Sequence, residues 1–407
     1  MNRNAFDVLT ERGFIEQVTH EGLKDLMGKE KLTFYIGYDP TADSLTVGGF
    51  LTAMALGHMQ RAGHRPVVLM GGGTGMIGDP TDKNEARRMM TVEEINRNVE
   101  GIRAQMSRFI DFSDGKAIMA NNADWLLELN YVKFLREMGI HFSVNRMLAA
   151  DCFKMRFERD QGLTFFELNY MVMQAYDFLE LNRRYGCVLQ VGGRDQWSNI
   201  IAGMELIRKV EGKDAYGMTF SLLTRADGEK MGKSMKGAIW LDANKTSPYE
   251  FFQYFRNTDD RDVEKYFKLL TFLELDDIKT HMADNINEAK SVLAYEITKL
   301  VHGQEAADNA KSAAAALFGG AGDDAAAPST EFQAEDFNGG MEIAALLERT
   351  SLAPSRSEAR RLVQQGGVVV AGEKVGDTAF RVTEELFKDG ELMIKKGKKT
   401  FHKVKIK

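Results

Sequence analysis

Apolar positions along the chain follow two rhythms, short continuous runs that end in glycine and longer stretches with helical spacing. Residues 33–36 form a short β-prone run that stops at Gly37. Gly48-Gly49 then precedes a helical stretch at 50–62, and Pro66-Val67-Val68-Leu69-Met70 reads as a buried strand closed by Gly71-Gly72-Gly73 and Gly75. Strand, glycine turn, helix and strand in this order predict an α/β fold with a parallel sheet, whose ligands gather at the carboxyl ends of the strands. Residues 163–181 have helical spacing, with Phe165, Leu168, Met171, Val172 and Ala175 on one side. Cys187-Val188-Leu189-Gln190-Val191 is a second buried strand, ending in Gly192-Gly193.

Residues 246–317 read as mostly helical, with paired aromatics at Phe251-Phe252 and Tyr254-Phe255. Residues 319–340 change character, because Gly-Gly-Ala-Gly-Asp-Asp-Ala-Ala-Ala-Pro is a linker composition. A small α+β module follows. Its expected parts are helices at 343–350 and 355–365, the second capped by Ser355 or Ser357 and by Gly366, and strands at 368–370 and 392–395. No internal repeat is visible. The expected division is therefore a parallel-sheet domain at 1–220, a helical domain at 221–318, a flexible linker at 319–340 and a small domain at 341–407.

Composition changes this picture little. With 407 residues, 44% of them hydrophobic, and only six prolines, the chain can bury a large core in two or three domains. No run approaches the ~20 apolar residues needed to cross a bilayer, and the first residues carry no apolar signal core. Cys152 and Cys187 sit among apolar neighbours without metal-ligand spacing. The expectation is a cytoplasmic protein with reduced thiols. Charge says more. Residues 341–407 hold 14 Lys and Arg against 9 Asp and Glu, so a chain of net charge −6 has a body at −11 and a basic end. That asymmetry suggests a nucleic acid reached through the C-terminal module, although a solvated lysine face would have the same composition.

Three segments carry candidate chemistry. Residues 38–49 turn from a strand end into a helix N-terminus, where unpaired N–H groups favour an anion. Gly71-Gly72-Gly73-Thr74-Gly75-Met76-Ile77-Gly78-Asp79-Pro80 permits close backbone approach to a ligand, offers Asp79 to an ammonium group, and is followed by Lys83 and Arg87. Asp227-Gly228-Glu229-Lys230-Met231-Gly232-Lys233-Ser234 is a glycine-containing loop with two lysines able to fold onto a polyphosphate. Each segment alone is equally well read as a glycine turn or a basic surface loop.

Together they resemble the class I aminoacyl-tRNA synthetases, in which a His-x-Gly-His signature opens the first helix and a Lys-Met-Ser-Lys-Ser signature lies far downstream. More narrowly, the chain resembles the bacterial tyrosyl-tRNA synthetase family. The segments Asp39-Pro40-Thr41-Ala42-Asp43-Ser44-Leu45, Gly75-Met76-Ile77-Gly78-Asp79-Pro80 and His141-Phe142-Ser143-Val144-Asn145 carry that likeness. So do Gln174-Ala175-Tyr176-Asp177-Phe178, Gly192-Gly193-Arg194-Asp195-Gln196-Trp197-Ser198-Asn199 and Thr246-Ser247-Pro248-Tyr249-Glu250-Phe251.

The resemblance implies a Rossmann-like catalytic domain, a helical domain and a small S4-like RNA-binding domain. It implies that L-tyrosine is activated with ATP and Mg2+ to tyrosyl-adenylate and passed to the 3′ end of tRNA(Tyr), with no tightly bound cofactor, no dedicated metal site and a homodimeric assembly. Tyr35 and Asp177 would hold the phenol hydroxyl; Asp79, Tyr170 and Gln174 the ammonium group; Gln196 would lie near the carboxylate. Tyr170, Gln174 and Asp177 fall at i, i+4 and i+7, one face of a helix. An acceptor left without its hydroxyl would disfavour phenylalanine, an exclusion for which tyrosyl-tRNA synthetases are the standing illustration. Gly37, Asp39, Gly48, Gly193 and Asp195 would meet ATP. Lys230, Lys233, Lys83 and Arg87 would meet the pyrophosphate, with Thr41, Thr46 and Gly49 at the first signature. Arg356, Arg360 and Arg361 would face RNA phosphates.

The first signature departs from the family. It reads Thr46-Val47-Gly48-Gly49, with no histidine at 46 or 49, and Leu56-Gly57-His58 only imitates its end from inside the helix. Each lost donor to a charged phosphate would weaken the transition state by about 1.5–3 kcal/mol, roughly one to two decades in rate. Gly232 replaces the middle serine of the lysine signature, a milder change, and Ala371 stands where the family has asparagine. Two alternatives follow from these departures, an RNA-binding or regulatory paralogue with impaired activation and a ligase with a non-tRNA acceptor. The intact tyrosine-site residues argue against the first, and the C-terminal module against the second.

Overall fold

The computed structural model describes residues 3–78, 90–150, 153–154, 162–234, 237–283, 285–318, 329–397 and 400–407. It divides into two compact units, one of Met1–Ser247 with Phe255–His302, the other of Pro248–Tyr254 with Gly303–Lys407.

The first unit is built on a six-stranded sheet. Its strands are β1 (Ile15–Val18), β2 (Thr33–Tyr38), β3 (Arg65–Met70), β4 (Ile118–Asn121), β5 (Cys187–Gly193) and β6 (Tyr216–Phe220). They lie in the order β1-β6-β5-β2-β3-β4, all parallel except β1, which runs antiparallel to β6. The chain proceeds outward from β2 through β3 to β4 and then returns to β5 on the other side of β2. That reversal opens a crevice at the carboxyl ends of β2 and β5.

The sequence rhythms become these elements with two instructive shifts. The first helix spans Val47–Arg61, so Gly48 and Gly49 belong to its opening turn rather than to a turn before it. A distant segment sets that start: Thr46 bridges to Trp240, and the Val47 N–H donates to the Ile239 carbonyl at 3.1 Å. The long helix spans Phe165–Tyr185, entered through a reciprocal Thr164–Glu167 cap and closed by a left-handed Gly186. Met171, Val172 and Ala175 of its expected apolar side are buried, but Phe165 is 65% exposed. None of the helices among the described residues is long and apolar enough to cross a membrane.

In the second unit the expected linker is only partly irregular. Ser329–Phe332 is a strand paired in parallel with Thr400–Ile406, and Phe332 and Phe337 enter the core with Ile343, Leu347, Val363 and Ile394. Residues 319–328 lie outside the described part. The two short helices are Ile343–Arg349 and Arg356–Gln364, the latter capped by the Ser355 hydroxyl, which accepts from the Glu358 N–H. Strands Val368–Val370 and Glu373–Val375 form a hairpin whose two-residue turn is Ala371-Gly372. Both turn residues have positive φ, 49° and 86°. Asparagine tolerates the first of these positions better than alanine does.

Candidate active site

The crevice between β2 and β5 collects most of the residues singled out from the sequence. Tyr35 points into the core from the middle of β2, 1% exposed, in one cluster with Trp125, Ala175 and Phe178. The face of the Phe165–Tyr185 helix carrying Tyr170, Gln174 and Asp177 runs beside it, with the Tyr35 and Phe178 rings 5.1 Å apart.

Asp177 is fully enclosed, yet it is not bare. The Asn122 amide donates to one carboxylate oxygen at 2.9 Å, and the Trp125 indole N–H to the other at 2.7 Å. Burial pushes its pKa up to about 7, against the pull of those two donors. The Tyr35 hydroxyl, also buried, has no hydrogen-bond partner among the described residues. Burial and the nearby Asp177 charge hold its phenol well above the ordinary value, so it remains a donor. An unsatisfied donor thus sits beside an acceptor with lone pairs to spare. A phenol hydroxyl lying between them would satisfy both.

A chain of hydrogen bonds links this inner end to the mouth. The Asn122 amide also donates to the Thr74 hydroxyl at 2.9 Å, and the Thr74 hydroxyl to Asp39 at 3.4 Å. Tyr170 donates to both oxygens of Asp39 at 3.2 and 3.3 Å. Asn122 additionally accepts from the Gly73 N–H at 2.8 Å, which fixes the glycine turn against β4. A Cβ on Gly71 would lie 2.6 Å from the Thr74 hydroxyl and 2.7 Å from Asp39, so only glycine lets the turn close over the network. On the β5 side, Asn199 donates to Gln174 at 3.0 Å and to Gln196 at 3.1 Å, and Gln196 donates to Asp195 at 2.7 Å.

Asp39, read from the sequence as an ATP contact, is therefore tied into the network around Tyr170. Asn122, Trp125, Thr74 and Asn199 were not singled out at all. Their role depends on Asp177, Asp39 and Gln174, tens of residues away, and no local spacing signals it. Gly37 faces open space at the end of β2, and Gly193 ends β5 beside an exposed Asp195. Asp79, Lys83 and Arg87 lie outside the described residues.

The segment 39–46 is pinned from above by the helix Val92–Met106. Asn98 donates to the Pro40 carbonyl at 2.8 Å, Gln105 accepts from the Leu45 N–H at 2.8 Å, and it donates to the Ser44 hydroxyl at 3.0 Å. Thr41 is exposed. Thr46 occupies the N-cap of the Val47–Arg61 helix without spending its hydroxyl as a cap. The N–H groups of Gly48 and Gly49 have no partner among the described residues, which leaves the opening turn able to receive an anion.

The lysine segment folds against that same turn. A Cβ on Gly232 would lie 3.5 Å from Val47 Cβ and 3.8 Å from Gly48 N. Ile239 ties the two, donating from its N–H to the Gly232 carbonyl at 2.8 Å while its carbonyl accepts from Val47. Gly232 has φ +100°, a backbone that serine rarely adopts, so in this conformation the exchange of serine for glycine relieves strain. Lys230 is exposed on the same loop; for Lys233 only the backbone is described, in the two-residue strand Lys233–Ser234. His58 is excluded from phosphate chemistry. Its ring is packed between Phe14 and Phe272, and burial, with Arg12 close by, lowers its pKa to about 3.

In the second unit Arg356, Arg360 and Arg361 lie on one short helix, and each is matched with an acid. Arg356 pairs with Glu348 at 3.0 Å, Arg360 with Glu342 at 3.8 Å and Arg361 with Glu358 at 3.7 Å. All three remain at least half exposed, so these pairs are weak and open to exchange.

Comparison with known proteins gives consistent matches along the whole chain. Residues 27–319 match the family model described as tRNA synthetases class I (W and Y), and residues 324–404 match the tyrosine–tRNA ligase SYY-like C-terminal domain. The tyrosine–tRNA ligase of Clostridium kluyveri is 57% identical over 99% of this chain and 100% of its own length. That of Caldanaerobacter subterraneus subsp. tengcongensis is 58% identical with the same coverage. Among solved structures, a C-terminally truncated mitochondrial tyrosyl-tRNA synthetase of Aspergillus nidulans aligns with a TM-score of 0.69 at 29% identity, covering 76% of this chain and 93% of that one.

Proposed function

The chain belongs to the class I tRNA synthetase family of the tyrosine and tryptophan enzymes, its activity is that of a tyrosine–tRNA ligase, and we propose the following division of labour within its site. The unpartnered Tyr35 hydroxyl beside the doubly held Asp177 carries the reading. A substrate phenol accepts from Tyr35 and donates to Asp177, and phenylalanine leaves the Tyr35 donor unpaired and gives Asp177 no third donor. Tyr170 and Gln174, on the same helix face but nearer the mouth, meet the ammonium group together with Asp79. Gln196 lies by the carboxylate.

The first step joins the tyrosine carboxylate to the α-phosphorus of ATP and breaks the bond to pyrophosphate. The nucleophile is already ionised near pH 7, so alignment and charge stabilisation carry the rate and no general base is required. Gly37, Gly193 and Asp195 receive the ribose. Phosphates approach the N–H groups of Gly48 and Gly49, with Thr41 and Thr46 adding hydroxyl donors. Lys230, Lys233, Lys83 and Arg87 take the pyrophosphate charge, and Mg2+ arrives on ATP. The ribose hydroxyl of the terminal nucleotide of tRNA(Tyr) then attacks the tyrosyl carbonyl, the bond to the phosphate breaks and AMP leaves; the body of the tRNA is held in part by the Arg356–Gln364 helix. Functionally the chain divides as its motifs do, with catalysis at 1–220, the lysine loop and helices at 221–318, a linker after 319 and RNA binding at 341–407.

We assign the assembly to a homodimer through the apolar side chains exposed at residues 127–144 and 165–166. Val132 and Ile140 are each 73% exposed there, with Tyr131 at 61% and Phe165 at 65%. So many large apolar side chains left exposed in these two segments support a partner. Light scattering tests it: a monomer at micromolar concentration overturns the assignment. The site itself is tested by ATP–pyrophosphate exchange. Exchange with tyrosine and far slower exchange with phenylalanine is expected, and exchange supported equally by both would remove the role given to Tyr35 and Asp177.

A further inference from the structure

The lysine loop is held at its root by a helix that contributes nothing to the crevice. Residues 224–230 form a tight hairpin: Thr224 bridges to Lys230, the Arg225 N–H donates to the Glu229 carbonyl at 2.8 Å, and the Met231 N–H to the Leu223 carbonyl at 2.8 Å. Three side chains from one short stretch grip the first strand of that hairpin. The Lys265 ammonium donates to the Thr224 carbonyl at 2.5 Å and to its hydroxyl at 3.0 Å. The Tyr266 hydroxyl donates to the same carbonyl at 3.3 Å, and the Asp262 carboxylate accepts from the Ala226 N–H at 2.8 Å.

Asp262 makes the arrangement informative. It occupies the N-cap of the helix Val263–Leu270, where an aspartate normally bonds its own helix, yet it makes no such bond. Its carboxylate is 3% exposed and reaches across to the loop instead. The helix is a firm base. Val263, Tyr266, Phe267 and Leu270 are buried, and the Arg12 guanidinium holds the far end by donating to the carbonyls of Lys268, Thr271 and Leu273. Lys265 is half-buried in the wall of an open cleft of about 710 Å³ that several charged side chains line, and its ammonium is given to Thr224. Charged groups committed to backbone atoms in this way are worth more than neutral contacts, and they fix the position of what they hold.

We propose that Asp262 and Lys265 are positioning residues for adenylate formation, holding the hairpin so that Lys230 stands where the pyrophosphate leaves. The proposal rests on the role given to Lys230 above. Neither residue touches substrate; each acts through the Thr224–Lys230 pairing.

The test is single-turnover adenylate formation by the full-length protein, with tyrosine affinity measured separately by equilibrium dialysis. Lys265→Met and Asp262→Ala should each slow the step by about tenfold, the effect of losing one charge-assisted bond, and leave tyrosine affinity unchanged. Lys265→Arg and Asp262→Asn, which keep the donor and the acceptor, should recover most of the rate. Combined with Lys230→Met, Lys265→Met should add little further loss. A full rate in Lys265→Met overturns the proposal, as does a parallel loss of tyrosine affinity or the absence of rescue by arginine. Should Asp262→Ala not fold, the Lys265 series decides alone. If Lys230→Met itself retains the full rate, the role of Lys230 fails, and the proposal fails with it by a distinguishable route.

Discussion

Replacing Tyr35 by phenylalanine removes a single oxygen, and the surroundings of that oxygen predict opposite signs for stability and for function. The hydroxyl is enclosed, in a side chain 1% exposed, and has no partner among the described residues. A buried polar group left unsatisfied costs about 1–3 kcal/mol, so without tyrosine bound Tyr35→Phe should be more stable than the parent by ~1 kcal/mol, after allowing for the small void. In a unit of this size that raises the melting temperature by about 2 °C. With tyrosine bound the hydroxyl has its acceptor, and losing it weakens binding by about 0.5–1.5 kcal/mol, roughly two- to tenfold in kcat/KM. Phenylalanine never engages this donor, so its own kcat/KM should not fall, and discrimination should drop by the same factor. Thermal melting without ligand and exchange kinetics with both amino acids check the three numbers together. A variant that melts lower than the parent, or loses activity equally towards both substrates, would refute the reasoning, because the hydroxyl would then be holding the fold and not waiting for a ligand.

Three other perturbations follow from the same geometry. Asp177 titrates at about 7 in the fold and near 4 in the unfolded chain, so it favours the ligand-free fold at low pH and that contribution, at most about 4 kcal/mol, is lost between pH 4 and 7. Its ionised form is the better acceptor for the substrate hydroxyl, so the KM for tyrosine should rise as pH falls from 8 to 6; a flat profile would dismiss that role. Gly49→His restores a donor at the first signature, but its Cβ would lie 3.0 Å from Leu45 Cδ2. Adenylation should therefore gain most, about tenfold, when Leu45 is trimmed to valine as well, and no gain in either variant means that the site works without a side chain here. Ala371→Asn relaxes a left-handed residue at φ 49° and should stabilise the C-terminal unit by about 0.5–1 kcal/mol, seen as a higher melting temperature; a decrease would mean that the hairpin turn is not under strain.

What could be read from the sequence was whatever local rhythm encodes. The runs ending at Met70 and Gly193 are apolar because both faces of a parallel strand are covered, and glycine marks where each one stops at the crevice. The i, i+4, i+7 spacing of Tyr170, Gln174 and Asp177 is enough to put them on one face of a helix. The groups that make Asp177 usable were hidden. Asn122 and Trp125 follow a strand at the far edge of the sheet and reach Asp177 across 55 and 52 residues of chain. The start of the Val47–Arg61 helix was misplaced for a similar reason, since two glycines look like a turn unless Trp240 and Ile239 are seen to brace them. Phe165 shares the apolar side of its helix with Met171, Val172 and Ala175 yet is exposed, because helical spacing tells which residues share a face and not how far along the helix that face is covered.

The altered first signature can now be weighed against the rest of the site. Histidines there would act through side-chain donors, whereas the N–H groups of Gly48 and Gly49 come from the backbone and survive any substitution that keeps the helix. Val47 is fixed by Ile239, which also carries Gly232, so the lysine loop and the opening turn are held as one piece by hydrogen bonds of 2.8 and 3.1 Å. In the proposed reading the polyphosphate would still meet a preorganised pair of backbone donors, against which Gly232 of the lysine loop is held, and preorganisation is the larger part of such stabilisation. The hydrogen bonds that fix Val47 to Ile239 and Ile239 to Gly232 involve neither Tyr35 nor Asp177. In the proposed division of labour, tyrosine selection would rest on the hydrogen bonds running from Asp39 through Thr74 and Asn122 to Asp177, and the rate of activation on those running from Val47 through Ile239 to Gly232. A change confined to the second can slow the reaction without loosening the choice of substrate.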